Sequence, residues 1–153
     1  MSVRVIDSLR ELLELDSQEV IKSDWLEITQ DQINKFGKIT GDTQWIHTDK
    51  LRAARESPFG CTIAHGFLTI SLLVHFMESS ISMPFSVMGV NYGFNRLRFT
   101  SPVKVGSKIR GCFRINEIFE IEGGVQIVWD VHVESNESDK PALVAEWVTR
   151  RYV

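Results

Sequence analysis

The sequence predicts a single α+β domain in which a curled antiparallel β-sheet wraps around one central apolar helix. Residues 63–77, IAHGFLTISLLVHFM, are the most apolar run in the chain. The run is apolar nearly all the way round and too short and interrupted to cross a bilayer, as expected of a buried helix. From residue 87 onward the hydrophobic period changes from helical to two, in four long segments. Finally, 153 residues that are 43% hydrophobic and 24% charged suffice for one core and match an ordinary globule. A helix followed by such a meander has one economical packing, with the sheet folded over the helix.

The elements follow in order. Residues 7–15 begin with a Ser8-x-x-Glu11 capping pattern and carry Leu9, Leu12 and Leu13 at helical spacing, so an extra amphipathic helix (about 5–16) opens the chain, for packing or for a dimer contact. Residues 23–28 read as a strand. Over residues 29–39, Thr29 and Gln32 form a capping box, Ile33, Phe36 and Ile39 recur on one face, and Gly41 ends the helix. Residues 42–62 are a loop with a short helical piece at 49–55, closed by Ser57, Pro58 and Gly60. A loop this long is where sites tend to lie. The central helix spans residues 66–79. Strands are expected at 87–99, 108–121, 125–134 and 143–152, with Gly123-Gly124 and residues 135–140 as turns. In the third of these, Val125, Ile127, Trp129, Val131 and Val133 share one face, and Gln126, Asp130, His132 and Glu134 the other, the mark of a half-buried antiparallel strand.

Charge and cysteine usage exclude several functions. A net charge of −3 without any basic run interleaved with aromatics gives nucleic acid no footing. The acids in MSVRVIDSLRELLELD break up any secretory signal, which places the protein in the cytoplasm, without membrane insertion. Cys61 and Cys112 form no CxxC pair and are expected to be reduced and structural. There is no HExxH pattern and no ligand cluster in the sequence, so no metal is expected. His75 reads as a core histidine and His132 as a surface one.

Two segments carry chemistry, FGKITGDTQWIHT (36–48) and FGCTIAHGFLTISL (59–72). Together they resemble the MaoC-like, (R)-specific enoyl-CoA hydratases, which share an apolar helix, a Gly-Asp, a short spacer, an apolar-His pair and a later Ala-His-Gly opening the central helix. The Gln-Trp-Ile-His run and the strand Asn95-Arg96-Leu97-Arg98-Phe99 are similar to the NodN-like branch. The likeness runs from about Trp25 to the C-terminus. It implies a hotdog fold, a homodimer with sheets paired edge to edge, an acyl-CoA thioester as substrate and no cofactor, coenzyme A being part of the substrate. The reaction implied is reversible addition of water to a trans-2-enoyl-CoA, giving the (R)-3-hydroxyacyl-CoA. The implied substrate-binding positions are Gln44, Trp45, His65 and Asn95. Where the family usually has Asn-Pro, this chain has Gln44-Trp45, and the larger indole would narrow or re-aim the acyl pocket.

Taken singly, Asp42 reads as a turn cap and His47 as a satisfied half-buried histidine, but the pair is compatible with the chemistry that the resemblance implies. Hydration of an α,β-unsaturated thioester needs a base for water, an acid for the α-carbon and a donor for the thioester oxygen as it becomes enolate-like. Asp42 and His47, five apart beyond a helix end, supply the acid and base functions, with the division between them open. The Gly66 amide, at a helix N-terminus where backbone N–H groups lack acceptors, is the natural oxyanion donor, and glycine admits a carbonyl close to the backbone. His65 is expected to make a structural hydrogen bond. Arginines of the strand containing Arg96 and Arg98 are placed to meet coenzyme A phosphates or simply to form a solvated face. Two alternatives remain open, a thioesterase on the same fold and a non-catalytic acyl-CoA-binding protein.

Overall fold

A computed structural model describes residues 2–153. The sheet is antiparallel throughout and is built on four long strands, β5 (Met88–Phe99), β6 (Lys108–Ile121), β7 (Gly124–Ser135) and β8 (Ser138–Tyr152). Their order is β6-β7-β8-β5. Two short strands, β2 (Ile21–Lys22) and β3 (Leu26–Glu27), both pair with β6. The strand expected at 23–28 shortens to β3, with β2 lying before it and residues 23–25 between them, where the Ser23 hydroxyl accepts from the Gly111 amide at 3.0 Å. Among the described residues β5 pairs only with β8 and is therefore an edge.

The alternation in β7 sets the inner face. Val125, Ile127, Trp129, Val131 and Val133 are all buried, while Gln126, Asp130, His132 and Glu134 are partly exposed. β8 contributes Leu143, Trp147 and Thr149 to the same side, and helix α5 (Gly66–Ser80) fills the concavity with Leu68, Leu73, Phe76 and Met77. Both buried indoles are satisfied, as a low-polarity interior demands. Trp129 donates to Thr149 Oγ1 at 2.9 Å and Trp147 to Asn91 Oδ1 at 2.7 Å.

Helix α5 is less enclosed than its composition suggests. Phe67 and Val74 are 71% and 45% exposed and Ile70 is half-buried, so one apolar stripe of the helix faces out. His75, expected in the core, lies on this open side; the apolar run gave no polar face against which to orient the helix.

Helix α2 (Gln30–Thr40) has the full capping box at Thr29 and Gln32 and ends at Gly41, whose φ of +79° is a left-handed cap that suits glycine. Its buried face is Ile33, Phe36 and Gly37, whereas Ile39 is 84% exposed. A strict spacing of three drifts off a 3.6-residue period, and the true stripe turns to position 37 instead.

The chain start is tied into the core. Helix α1 (Leu9–Glu14) is capped by Ser8, although Glu11 reaches back to the Asp7 amide and not to that of Ser8. Before it, β1 (Arg4–Val5) pairs in parallel with β4 (Ile81–Ser82), an interaction with no cue in the sequence. Ile6 and Leu12 are fully buried in the main cluster. The N-terminal segment therefore closes the far end of the core, and no helix among the described residues is long and apolar enough to cross a membrane.

Candidate active site

The left-handed turn at Gly41 throws the chain back from α2 and exposes Asp42 on the reversal. Three residues later the short helix α3 (Trp45–Thr48) begins, and it turns His47 inward to 7% exposure. His47 Nδ1 lies 2.7 Å from the Ile63 carbonyl oxygen. A carbonyl only accepts, so Nδ1 carries the proton and the neutral ring keeps its lone pair on Nε2. The same two segments are joined by Ile63 N–H donating to Ile46 O at 3.1 Å. Gln30 in the first turn of α2 donates from Nε2 to the His47 carbonyl at 2.7 Å and accepts from Thr62 Oγ1. Gln30 was not among the residues singled out from sequence; a polar residue at a helix start carries no distinguishing signal.

His65 caps α5 from the other side. Its ring stacks on that of His47, with centroids 3.9 Å apart, and its Nε2 donates to the Asp42 carbonyl at 2.8 Å. Gly37 makes room for this arrangement, because a Cβ there would lie 2.7 Å from that carbonyl oxygen. One polar atom from each of Asp42, His47 and His65 falls within 4.8 Å of the other two. A carboxylate and a neutral imidazole at this spacing can share one water. One carboxylate and two imidazoles are also donor types that a zinc-like ion accepts, although His65 Nε2 and His47 Nδ1 are already committed to carbonyl oxygens.

Burial holds the His47 imidazole below the ordinary histidine pKa. The hydrogen bond to Ile63 and the charge of Asp42 oppose that shift, and the neighbouring His65 adds to it. The ring is therefore a neutral acceptor near pH 7.

Beside His47 opens a cavity of ≈ 470 Å³, lined by Phe59, Ile63, Gly66, Phe67, Thr69 and Phe99 among others. The Gly66 amide heads α5 and donates to no backbone carbonyl among the described residues. The Phe99 ring rests directly on Gly66, so a Cβ at that position would lie 2.6 Å from Phe99 Cζ. Phe99 was read from sequence only as the end of a strand motif, and its contact across the fold gave no local signal.

The structure thus gathers Asp42, His47, His65 and Gly66. Gln44 is exposed and contributes its backbone amide, 3.4 Å from Asp42 Oδ1. The half-buried Trp45 ring lies under the Arg52 guanidinium, 4.4 Å from its centroid, and does not line the cavity. Asn95 is exposed at an irregularity of β5, also outside the cavity.

A second cluster, Cys112, His132 and Glu134, sits on the other face of the sheet. Burial pushes the Cys112 thiol up to about 12, which removes it as a nucleophile. The Glu134 carboxylate is already held by Lys22 and Arg110.

The chain matches the family described as MaoC like domain over residues 14–137. It is 40% identical over 149 residues to 3-hydroxyacyl-thioester dehydratase Z of Mycobacterium tuberculosis, covering 97% of this chain and 98% of that one. It is 46% identical over 135 residues to Nodulation protein N of Rhizobium leguminosarum bv. viciae, covering 86% and 83%. Among solved structures, R-hydratase PhaJ1 from Pseudomonas aeruginosa superposes with a TM-score of 0.73 at 23% identity, over 92% of this chain and 84% of that one. The last of these shows the fold, and the first three show the lineage: this chain belongs to the MaoC-like dehydratase family, on the hotdog fold.

Proposed function

We propose that the protein is an (R)-specific enoyl-CoA hydratase that adds water reversibly to a trans-2-enoyl thioester. The observation that carries this reading is the Asp42–His47 pair, with polar atoms within 4.8 Å, beside an apolar cavity that also contains the unengaged Gly66 amide.

In the hydration direction, Asp42 and neutral His47 hold one water between them. As its oxygen bonds to C3, a proton passes to the pair, and the pair delivers a proton to C2 on the same face. The thioester oxygen gains charge in between and is met by the Gly66 N–H at the positive end of the α5 dipole. Positioned acid–base groups contribute about 10² to 10⁴ in rate and one oxyanion donor about 10² to 10³. His65 braces both partners, through the Asp42 carbonyl and the face of His47. The unpaired edge of β5 supports a homodimer joined along that strand.

The test is hydration of crotonyl-CoA by the purified protein, followed as loss of enoyl-thioester absorbance with chiral analysis of the product. Conversion to the (R)-alcohol, reduced about 10²-fold or more in Asp42→Asn and in His47→Ala, is expected. Release of free thiol in place of hydration would assign the protein to thioesterases, and binding without turnover to acyl-CoA carriers.

A further inference from the structure

Along α5 from Gly66, toward the far end of the helix, lies a smaller cavity of ≈ 160 Å³, bounded by Val74, Met77, Glu78, Asn91, Thr149 and Arg151 together with neighbouring backbone. Its chemistry is unusual for the inside of a sheet. Arg151 follows Trp147 and Thr149 on the inner face of β8, and its side chain is only 15% exposed. Its Nε is buried without an acceptor among the described residues. Its carboxylate neighbour is Glu78, which is 62% exposed and 3.5 Å from a single terminal nitrogen. Gly89, paired with Arg151 across the ladder, lets the guanidinium lie against the β5 backbone, where any Cβ would collide with it. An arginine held inward this way and incompletely paired carries an unrecovered desolvation cost.

The other polar groups of the cavity point the same way. An indole N–H can only donate, so Trp147 takes the Asn91 Oδ1 and Trp129 takes the Thr149 Oγ1. That leaves the hydroxyl hydrogen of buried Thr149 without an acceptor among the described residues, while the amide N–H groups of the exposed Asn91 stand at the mouth of the cavity. Three donors, from Asn91, Thr149 and Arg151, therefore surround a space whose helix wall is Val74 and Met77, with Glu78 at the rim as its one acid. Such a pocket fits an apolar chain that ends in an oxygen anion. Its volume is roughly that of five waters, enough for a carboxylate with a few methylenes and too small for a nucleotide.

We propose that this cavity is a distal subsite for a carboxylate at the far end of the acyl chain, so that the preferred substrates are enoyl thioesters with a terminal carboxyl group. The inference rests on the acyl-thioester reading of the Gly66 end. Val74 lies eight residues beyond Gly66, about 12 Å along the helix at ~1.5 Å per residue, and the exposed stripe Phe67, Ile70 and Val74 forms an apolar track from one cavity to the other. A medium-length chain spans that distance.

The experiment compares two trans-2-enoyl-CoA substrates of equal length, about ten carbons to match the helix span, one ending in methyl and the other in carboxylate. In the wild-type protein kcat/KM is expected to favour the carboxylate by about tenfold or more, the usual size of a charge-assisted hydrogen bond. Arg151→Met, and separately Gly89→Ala, which displaces the guanidinium, should each lower that ratio toward one, and Arg151→Lys should keep part of it. Dissociation constants for both thioesters, measured on Asp42→Asn by calorimetry, should show the same preference without turnover. Hydration of both substrates without preference overturns the subsite and leaves the hydratase reading standing. An Arg151-dependent binding preference with no hydration does the reverse. Loss of folding in Arg151→Met leaves the wild-type ratio and Gly89→Ala to decide.

Discussion

Gly66 combines two constraints that mutation can separate. Its amide faces the thioester oxygen in the proposed mechanism, and its bare Cα supports the Phe99 ring, which a Cβ would meet at 2.6 Å. Gly66→Ala keeps the N–H but pushes the ring toward the cavity, so activity should fall. Gly66→Ala combined with Phe99→Ala should recover part of the loss, a coupling that a double-mutant cycle reads directly. His47 makes a second prediction. Because burial lowers its pKa, kcat/KM should hold as the pH drops to the ordinary histidine value near 6.5 and decline only below it, and His47→Gln should lose that acid limb. The same depression links to stability. The unfolded chain binds the proton more readily, so this contribution is complete above about pH 6.5 and is lost as pH falls through the lower folded-state value. Asp42 and His47 were singled out because the Gly-Asp and Ile-His segments together with the later Ala-His-Gly resemble the MaoC-like pattern, and their polar atoms lie within 4.8 Å of each other. Gln30 and Phe99 were not, since each reaches the site by a contact across the fold that no local pattern encodes.

At the scale of elements, the short strand β2 is held to the sheet by charge as much as by its ladder. Lys22 on β2 and Arg110 on β6 both reach Glu134 on β7, at 3.0 and 2.7 Å. Burial alone would raise the Glu134 carboxyl, but the two hydrogen bonds and their positive charges hold it down at about 2. Its contribution is therefore present above the unfolded pKa of about 4.5 and is lost as pH falls from there toward 2. Glu134→Gln should cost ~1 to 2 kcal/mol at pH 7, between the limits for exposed and buried pairs. That lowers Tm by about 2 to 8 °C and flattens the acid limb of Tm against pH, as thermal melts across that range would show. An unchanged limb would assign acid sensitivity elsewhere. Elements with strong local signatures were readable in advance: the capping box at Thr29, the left-handed Gly41 and the alternation of β7 all appear where the sequence puts them. Orientation was the failure. Ile39 was assigned inward by its spacing and His75 by its apolar neighbours, yet only the positions of the neighbouring elements decide which side of an apolar helix is covered.

For the whole molecule, β5 is the long terminal strand of the sheet, paired along one side alone among the described residues. β5 presents a row of unpaired backbone groups along twelve residues, with Met88, Tyr92 and Phe99 half or more exposed beside it. Long uncovered edges are normally blunted or paired, and the opposing edge of a second copy is the partner proposed above. Light scattering should give twice the mass of one chain, and an active monomer at micromolar concentration would remove the dimer from the mechanism. The sheet-around-helix arrangement was legible because a change of hydrophobic period divides the chain in two. The parallel pairing of Arg4–Val5 with Ile81–Ser82 was not, because two-residue strands carry no periodicity. That clasp has a consequence for synthesis. Its partner strand lies roughly half this chain away, so at about 5 to 20 residues per second Arg4 and Val5 wait roughly four to fifteen seconds on the ribosome before Ile81 emerges. During that interval Ile6 and Leu12 have no β4 to dock beside, so this segment joins the fold only after the central helix α5 has been made.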